Sequence, residues 1–190
     1  MKVMAAVAIF SLTVSAADYE IKPTPDSRFA LEIFKTGLYS GKKHLFLFER
    51  YHGTLTYDDA APEAAKIDLT IEAASFVVKD DWLSASQAKS VREEAEGKNV
   101  LDSARFPQIR FVSSSVTRAG DGFTVQGTLT IRDAAKPAAI HVTVNGLRFE
   151  GKAEVKLKDY GIKPPGAALG MIGTRNEMNV AFTLVATPKR

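Results

Sequence analysis

The feature that most constrains this chain is the stretch from Asn99 to Val144, in which apolar and polar residues alternate through three successive runs. In the middle run Phe123, Val125, Leu129 and Ile131 share one face, while Thr124, Gln126, Thr128, Thr130 and Arg132 share the other. A period of two is what a strand with one dry side and one wet side requires. Gly120-Asp121-Gly122 gives the first reversal, and Asp133 to Pro137 gives the second. Strands joined by short turns pair antiparallel, so this stretch predicts the middle of a β-meander.

The same alternation recurs on both sides. Phe29, Leu31 and Ile33 alternate with Ala30, Glu32 and Phe34, and Ile67, Leu69 and Ile71 alternate with Asp68, Thr70 and Glu72. The run His44 to His52 is apolar on both faces, as expected of a strand with something lying over each side. After the hairpin signal Asn145-Gly146, Leu147, Phe149, Ala153, Val155 and Leu157 alternate with charged residues. A Gly- and Pro-rich loop from Asp159 to Thr174 leads to a last strand with Met178, Val180, Phe182 and Leu184 on one face. One helix interrupts the pattern, from Ser84 to Gly97, with a Ser84/Gln87 capping box and a narrow stripe of Ala85, Ala88, Val91 and Ala95. That helix is too small to cover a large sheet, so the second layer must be the sheet folded on itself, as a barrel or a sandwich. About eight strands in antiparallel order predict an all-β fold, and eight is the number at which a closed barrel is just wide enough for side chains or one slender ligand.

Residues 1–17 read separately. Met1-Lys2, an apolar run from Val3 to Val14 and small residues at Ser15-Ala16-Ala17 form the pattern of a secretory leader, cleaved near Ala17. The run is shorter than the roughly 20 residues that span a bilayer. The expectation is an exported chain, periplasmic or secreted, with one domain over residues 18–190. The formal charge of +3 falls to +2 without Lys2 and is spread along the strands, which argues against a nucleic-acid partner. With no cysteine, disulfides, thiolate catalysis and thiolate metal sites are excluded.

Several short motifs follow one another in a recognisable order: Val100-Leu101-Asp102, Phe106-Pro107-Gln108-Ile109-Arg110-Phe111, Ser113 to Val116, Val125 to Ile131, Lys136-Pro137 and Asp159-Tyr160-Gly161-Ile162. With the closing strand Met178 to Ala186 they resemble the YceI-like family, the lipocalin-like polyisoprenoid-binding proteins of the bacterial periplasm. The resemblance implies an eight-stranded antiparallel barrel around a long apolar tunnel that holds an isoprenoid or related amphiphile, with no cofactor and no catalysis.

On that reading the tunnel wall is Phe29, Leu31, Ile33, Leu69, Ile71, Phe111, Phe123, Val125, Leu129, Ile131, Val142, Val155, Leu157, Val180 and Phe182. Alternation alone favours a barrel filled with its own side chains, and it is the resemblance that points to a tunnel. Gly127 and Gly151 fall on the inward parity, where a missing side chain leaves room for a ligand. Ser113 and Ser115 share parity with Phe111 and are either the polar groups of the interior or an outward ladder. Leu169 and Met171, with Ile172, are candidates for a lid over the tunnel mouth or for a transient membrane contact, or belong to a connection packed outside.

Catalytic and metal signatures are weak. His44, His52 and His141 lack metal-ligand spacing, and His141 is expected to face solvent. Asp58-Asp59 and Asp80-Asp81 are adjacent in sequence, so their side chains diverge, and both pairs read as solvated turns. Three functions remain in view: a carrier of a long-chain amphiphile, an enzyme acting on an apolar substrate in the same cavity, and a solid barrel whose loops bind a protein. Oligomeric state, a homodimer included, is left open by the sequence.

Overall fold

A computed structural model describes residues 16–167 and 170–189. The leader expectation falls outside it except at Ala16 and Ala17, and so does Leu169. The chain builds β1 (Ala17–Ile21), β2 (Arg28–Gly37), β3 (Lys43–Phe48), β4 (Tyr51–Tyr57), β5 (Lys66–Glu72) and β6 (Phe76–Val78). Helix α1 (Ala85–Glu96) is followed by β7 (Gln108–Ala119), β8 (Gly122–Ile131), β9 (Ala134–Asn145) and β10 (Arg148–Lys156). The two-residue β11 (Gly166–Ala167) and the long β12 (Ile172–Pro188) complete the sheet.

All pairings are antiparallel, and β12 closes the ring. One of its edges runs along β10, while the other pairs with β2 (Phe182 opposite Phe29) and then with β1 (Ala186 opposite Ile21). Three of the long strands are each bent into two segments: β1 with β2, β3 with β4, and β5 with β6. With β7, β8, β9, β10 and β12 these form a closed eight-stranded up-and-down barrel, the architecture that the family resemblance implies. Closure leaves only the short β6 and β11 with an unpaired edge among the described strands, which limits pairing with another chain.

The bends explain His44 to His52. The run is not one strand sandwiched between two layers. Exposed Glu49 and Arg50 separate β3 from β4, and the inward parity changes from even numbers (His44, Phe46, Phe48) to odd ones (Tyr51, Leu55, Tyr57). The buried Ser75 fastens this corner: its hydroxyl donates to Arg50 O at 3.1 Å and accepts from Arg50 N at 3.2 Å. At the corner between β1 and β2, Ser27 Oγ accepts from Val185 N at 3.2 Å.

The helix forms where expected. Ser84 Oγ accepts from Gln87 N and the Gln87 side chain accepts from Ser84 N, which satisfies two of the free N–H groups of the first turn. α1 packs on β6, with Val91 and Ala95 against the barrel core and the Arg92 guanidinium 5.6 Å from the ring of the fully buried Phe76. The second reversal is shorter than Asp133 to Pro137. It occupies Arg132 (φ 56°) and Asp133, and Pro137 already pairs with Thr128 inside β9.

Strand directions place the β2–β3 hairpin, α1, the β8–β9 turn and the connection into β12 at one end of the barrel. This is called the helix end below.

The two inward glycines do not open passages. A Cβ on Gly151 would lie 2.0 Å from Cζ of Phe182, directly opposite on β12, and one on Gly127 would lie 2.5 Å from the ring of Phe111. Each glycine accommodates an aromatic ring from the neighbouring strand. Gly151→Ala should therefore cost about 1–3 kcal/mol through overpacking. Urea unfolding should show part of that loss recovered when Phe182→Leu is added.

Candidate functional site

The barrel encloses a cavity of about 240 Å³. Fifteen of the expected wall residues line it: Phe29, Leu31, Ile33, Leu69, Ile71, Phe111, Phe123, Val125, Leu129, Ile131, Val142, Val155, Leu157, Val180 and Phe182. Phe29 on this wall stacks on Phe182 with ring centroids 5.7 Å apart, and its centroid lies 6.1 and 5.9 Å from those of Phe48 and Tyr51. A solid barrel, the alternative that alternation leaves open, is not what these side chains build.

Neither Ser113 nor Ser115 lines the cavity, and both lie at an irregularity in β7. Ser114 is an extra residue in β7: Ser113 pairs with Gly127, yet Ser115 pairs with the next residue, Gln126. A bulge of this kind shifts parity by one. Ser115 thus faces solvent beside Gln126, and Val116 turns inward opposite Val125. Ser113 is half-buried, and its hydroxyl accepts from Ile67 N at 2.8 Å, so it ties β5 to β7 and does not line the cavity. Met171 does not cover the mouth either; it is 58% exposed, while Ile162 and Pro165 of the same connection reach the wall.

Among the described residues, the polar side chains on the wall are Lys35, His44, Tyr57, Glu94 and Thr174. Four of the five stand at the helix end; only Tyr57 is at the other. Glu94 is exposed, so the cavity meets solvent at this end. Lys35 Nζ lies 3.5 Å from Thr174 Oγ1 across the β2–β12 pair. Burial holds Lys35 below the ordinary lysine value, and the carboxylates of Glu94 and Asp80 offset that in part. At the opposite end, burial and the hydrogen bond to Asp59 push the Tyr57 phenol up to about 12.

His44 and Asp80 differ most from the sequence expectation. Asp80 is no solvated turn: its side chain is 0% exposed, because Asp80 follows β6 and continues the β3–β6 edge inward. One carboxylate oxygen accepts from Leu45 N at 2.7 Å, and the other accepts from His44 Nδ1 at 2.5 Å. The imidazole points inward, 5.4 Å from the ring of Trp82 and 6.0 Å from that of Phe46. His52 and His141 face solvent, as strand parity and the bend at 49–50 dictate. Parity could have placed His44 inside, but nothing in the sequence links it to Asp80, 36 residues away.

Among the described residues no group of three or more His, Asp or Glu side chains is placed to hold a metal. Asp80→Ala should destabilise the protein by about 3–5 kcal/mol in chemical denaturation, because the buried Leu45 N–H and His44 Nδ1–H lose their acceptor together. Asp80→Asn keeps one acceptor oxygen and should cost clearly less.

Comparison with known proteins agrees with this architecture. A family model described as YceI-like domain matches residues 11–186. A UPF0312 protein of Pseudomonas savastanoi pv. phaseolicola is 33% identical over 130 residues, 63% of this chain and 64% of that protein. A UPF0312 protein of Yersinia pestis is 33% identical over 125 residues, 60% of this chain and 61% of its own length. The match thus spans somewhat under two thirds of these curated relatives. Among solved structures, Burkholderia cenocepacia BcnA superposes with a TM-score of 0.65 at 25% identity, over 85% of this chain and 96% of that one. A Campylobacter jejuni YCEI protein gives 0.59 at 16% identity, over 76% and 84%, a likeness of fold alone.

Proposed function

We propose that this chain, which belongs to the YceI-like family, is an exported, non-catalytic carrier that takes one long-chain amphiphile into its barrel. The ligand class is an isoprenoid, a quinone-like lipid or a fatty-acid derivative. Its chain lies along the apolar wall, and its head group stays at the helix end beside Lys35 and Thr174. The carrying observation is the distribution of chemistry around the cavity: apolar side chains throughout, with hydrogen-bonding groups gathered at the end that meets solvent.

Energetics favour the same reading. Each CH₂ moved from water to this wall gains roughly 0.8 kcal/mol. A cavity of about 240 Å³ left unfilled would cost the fold about 6 kcal/mol, comparable with the whole net stability of a small domain. It also exceeds the roughly 150 Å³ that suffices for benzene in an engineered apolar site. Lys35 is a donor with one long contact, so an acceptor head group, above all a carboxylate or phosphate, complements it.

Native mass spectrometry of protein from the periplasmic fraction, followed by organic extraction, tests the reading. A stoichiometric long-chain lipid supports it; a clean apo mass with no uptake of added prenyl lipid or fatty acid rejects it. Lys35→Met should weaken binding of a long-chain fatty acid by roughly ten- to hundred-fold. Binding of the methyl ester should barely change. Acid binding should also weaken as pH rises through the lowered Lys35 value, since only the ammonium attracts the carboxylate.

The His44–Asp80 pair favours a second reading, an enzyme with His44 as general base. That reading requires the extracted ligand to return chemically altered after incubation. The carrier reading requires it to return with its mass unchanged.

A further inference from the structure

Three of the four exposed large apolar residues among the described residues stand together at the helix end: Leu38 (70% exposed), Tyr39 (41%) and Met171 (58%). They belong to two different connections held side by side. Leu38 N donates to Met171 O at 3.0 Å, and Gly37 (φ +69°) permits that approach, since a Cβ there would lie 2.0 Å from the same oxygen. The patch continues inward through contacts. The Tyr39 ring lies 5.6 Å from Trp82, whose indole N–H donates to Lys43 O, and Trp82 lies against His44 on the cavity wall. An apolar and aromatic path thus runs from the exposed tips to the mouth.

The two tips themselves carry charge of one sign. Residues 33–48 and 160–176, which carry both tips, contain Lys35, Lys42, Lys43, Lys163 and Arg175 and no carboxylate. The Lys42 ammonium lies 6.0 Å from the Trp82 ring centroid, and the Arg175 guanidinium 5.5 Å from that of Phe34. Nearby acids are largely taken: Asp80 by His44 and Leu45, and Glu32 by Lys43 at 2.5 Å. Asp81 and Glu94 remain at the rim. Amphipathic aromatic rings, protruding aliphatic side chains and cations at one level are the chemistry of a membrane–water interface.

We infer that the helix end is a docking face for an anionic phospholipid bilayer, presented so that the cavity mouth faces the leaflet. Leu38, Tyr39 and Met171 enter the interface, and the surrounding cations meet lipid phosphates. The face stands whichever molecule occupies the cavity, because docking needs only the outer surface of the two tips.

Trp82 is the chain's single tryptophan and therefore reports on this face alone. The experiment is co-flotation of the full mature chain with vesicles of phosphatidylcholine, with or without phosphatidylglycerol, while Trp82 emission is recorded. Docking predicts flotation and a blue shift with phosphatidylglycerol, weakening as salt rises. It predicts about a five-fold loss in affinity for Lys42→Gln. Leu38→Ser with Met171→Ser should abolish flotation without changing the melting temperature, because both side chains are exposed.

Equal flotation of wild type and these variants, or no flotation with either lipid, overturns the inference. A dimer in sedimentation velocity that is lost in the Leu38→Ser/Met171→Ser variant also overturns it, by assigning the face to a second copy. Flotation without any extractable cavity lipid would keep the docking face and remove the carrier reading, so the two can fail separately.

Discussion

Every side chain in a closed barrel faces either inward or outward, and strand alternation must keep the inside apolar all the way round. This chain meets that constraint only by resetting parity at particular places. Exposed Glu49 and Arg50 switch the inward set between β3 and β4, and Ser114 switches it within β7. Without the first, Tyr51, Leu55 and Tyr57 would face water. Without the second, Ser115 would replace Val116 inside. Small hydroxyls fasten these irregular points: Ser75 holds the β3–β4 corner, and Ser113 bonds to Ile67 N just before the bulge. The long β12, paired with β10, β2 and β1, converts the corrected meander into a ring.

The strands and the helix are legible in the sequence because their signals are local, whereas their closure into a barrel rests on the family resemblance. The alternation from Phe123 to Ile131 and the Ser84 capping box each need fewer than about ten residues to state their case. What escaped was relational. Ser114 differs in no chemical way from Ser113 and Ser115, so the bulge, and with it the fate of both neighbours, depends on how β8 pairs. Gly127 and Gly151 lie on the inward parity, which the alternation shows. Whether a glycine leaves space or receives a ring depends on Phe111 and Phe182, which belong to adjacent strands. Asp80 looked like half of a hydrophilic turn, and only the short β6 carries it to His44.

The same relational features concentrate chemistry at one end. Lys35 and His44 reach the cavity from the two strands of a hairpin, Thr174 from the closing strand and Glu94 from the inserted helix. No two of these elements adjoin in sequence except β2 and β3. At the opposite end the wall offers one phenol, Tyr57, already committed to Asp59. On the carrier reading, an apolar chain would lie along most of the cavity without discrimination, whereas a head group would meet a small, asymmetric set of partners. Selectivity in such a site resides at the mouth and in cavity length, not along the chain.

The most direct test of the central claim is a crystal structure of the protein purified from its native host without added lipid. The account predicts one continuous tube of density, starting near Lys35 and Thr174 and passing the stacked rings of Phe29 and Phe182. A cavity closed by repacked side chains, or holding only separate ordered waters, would contradict it.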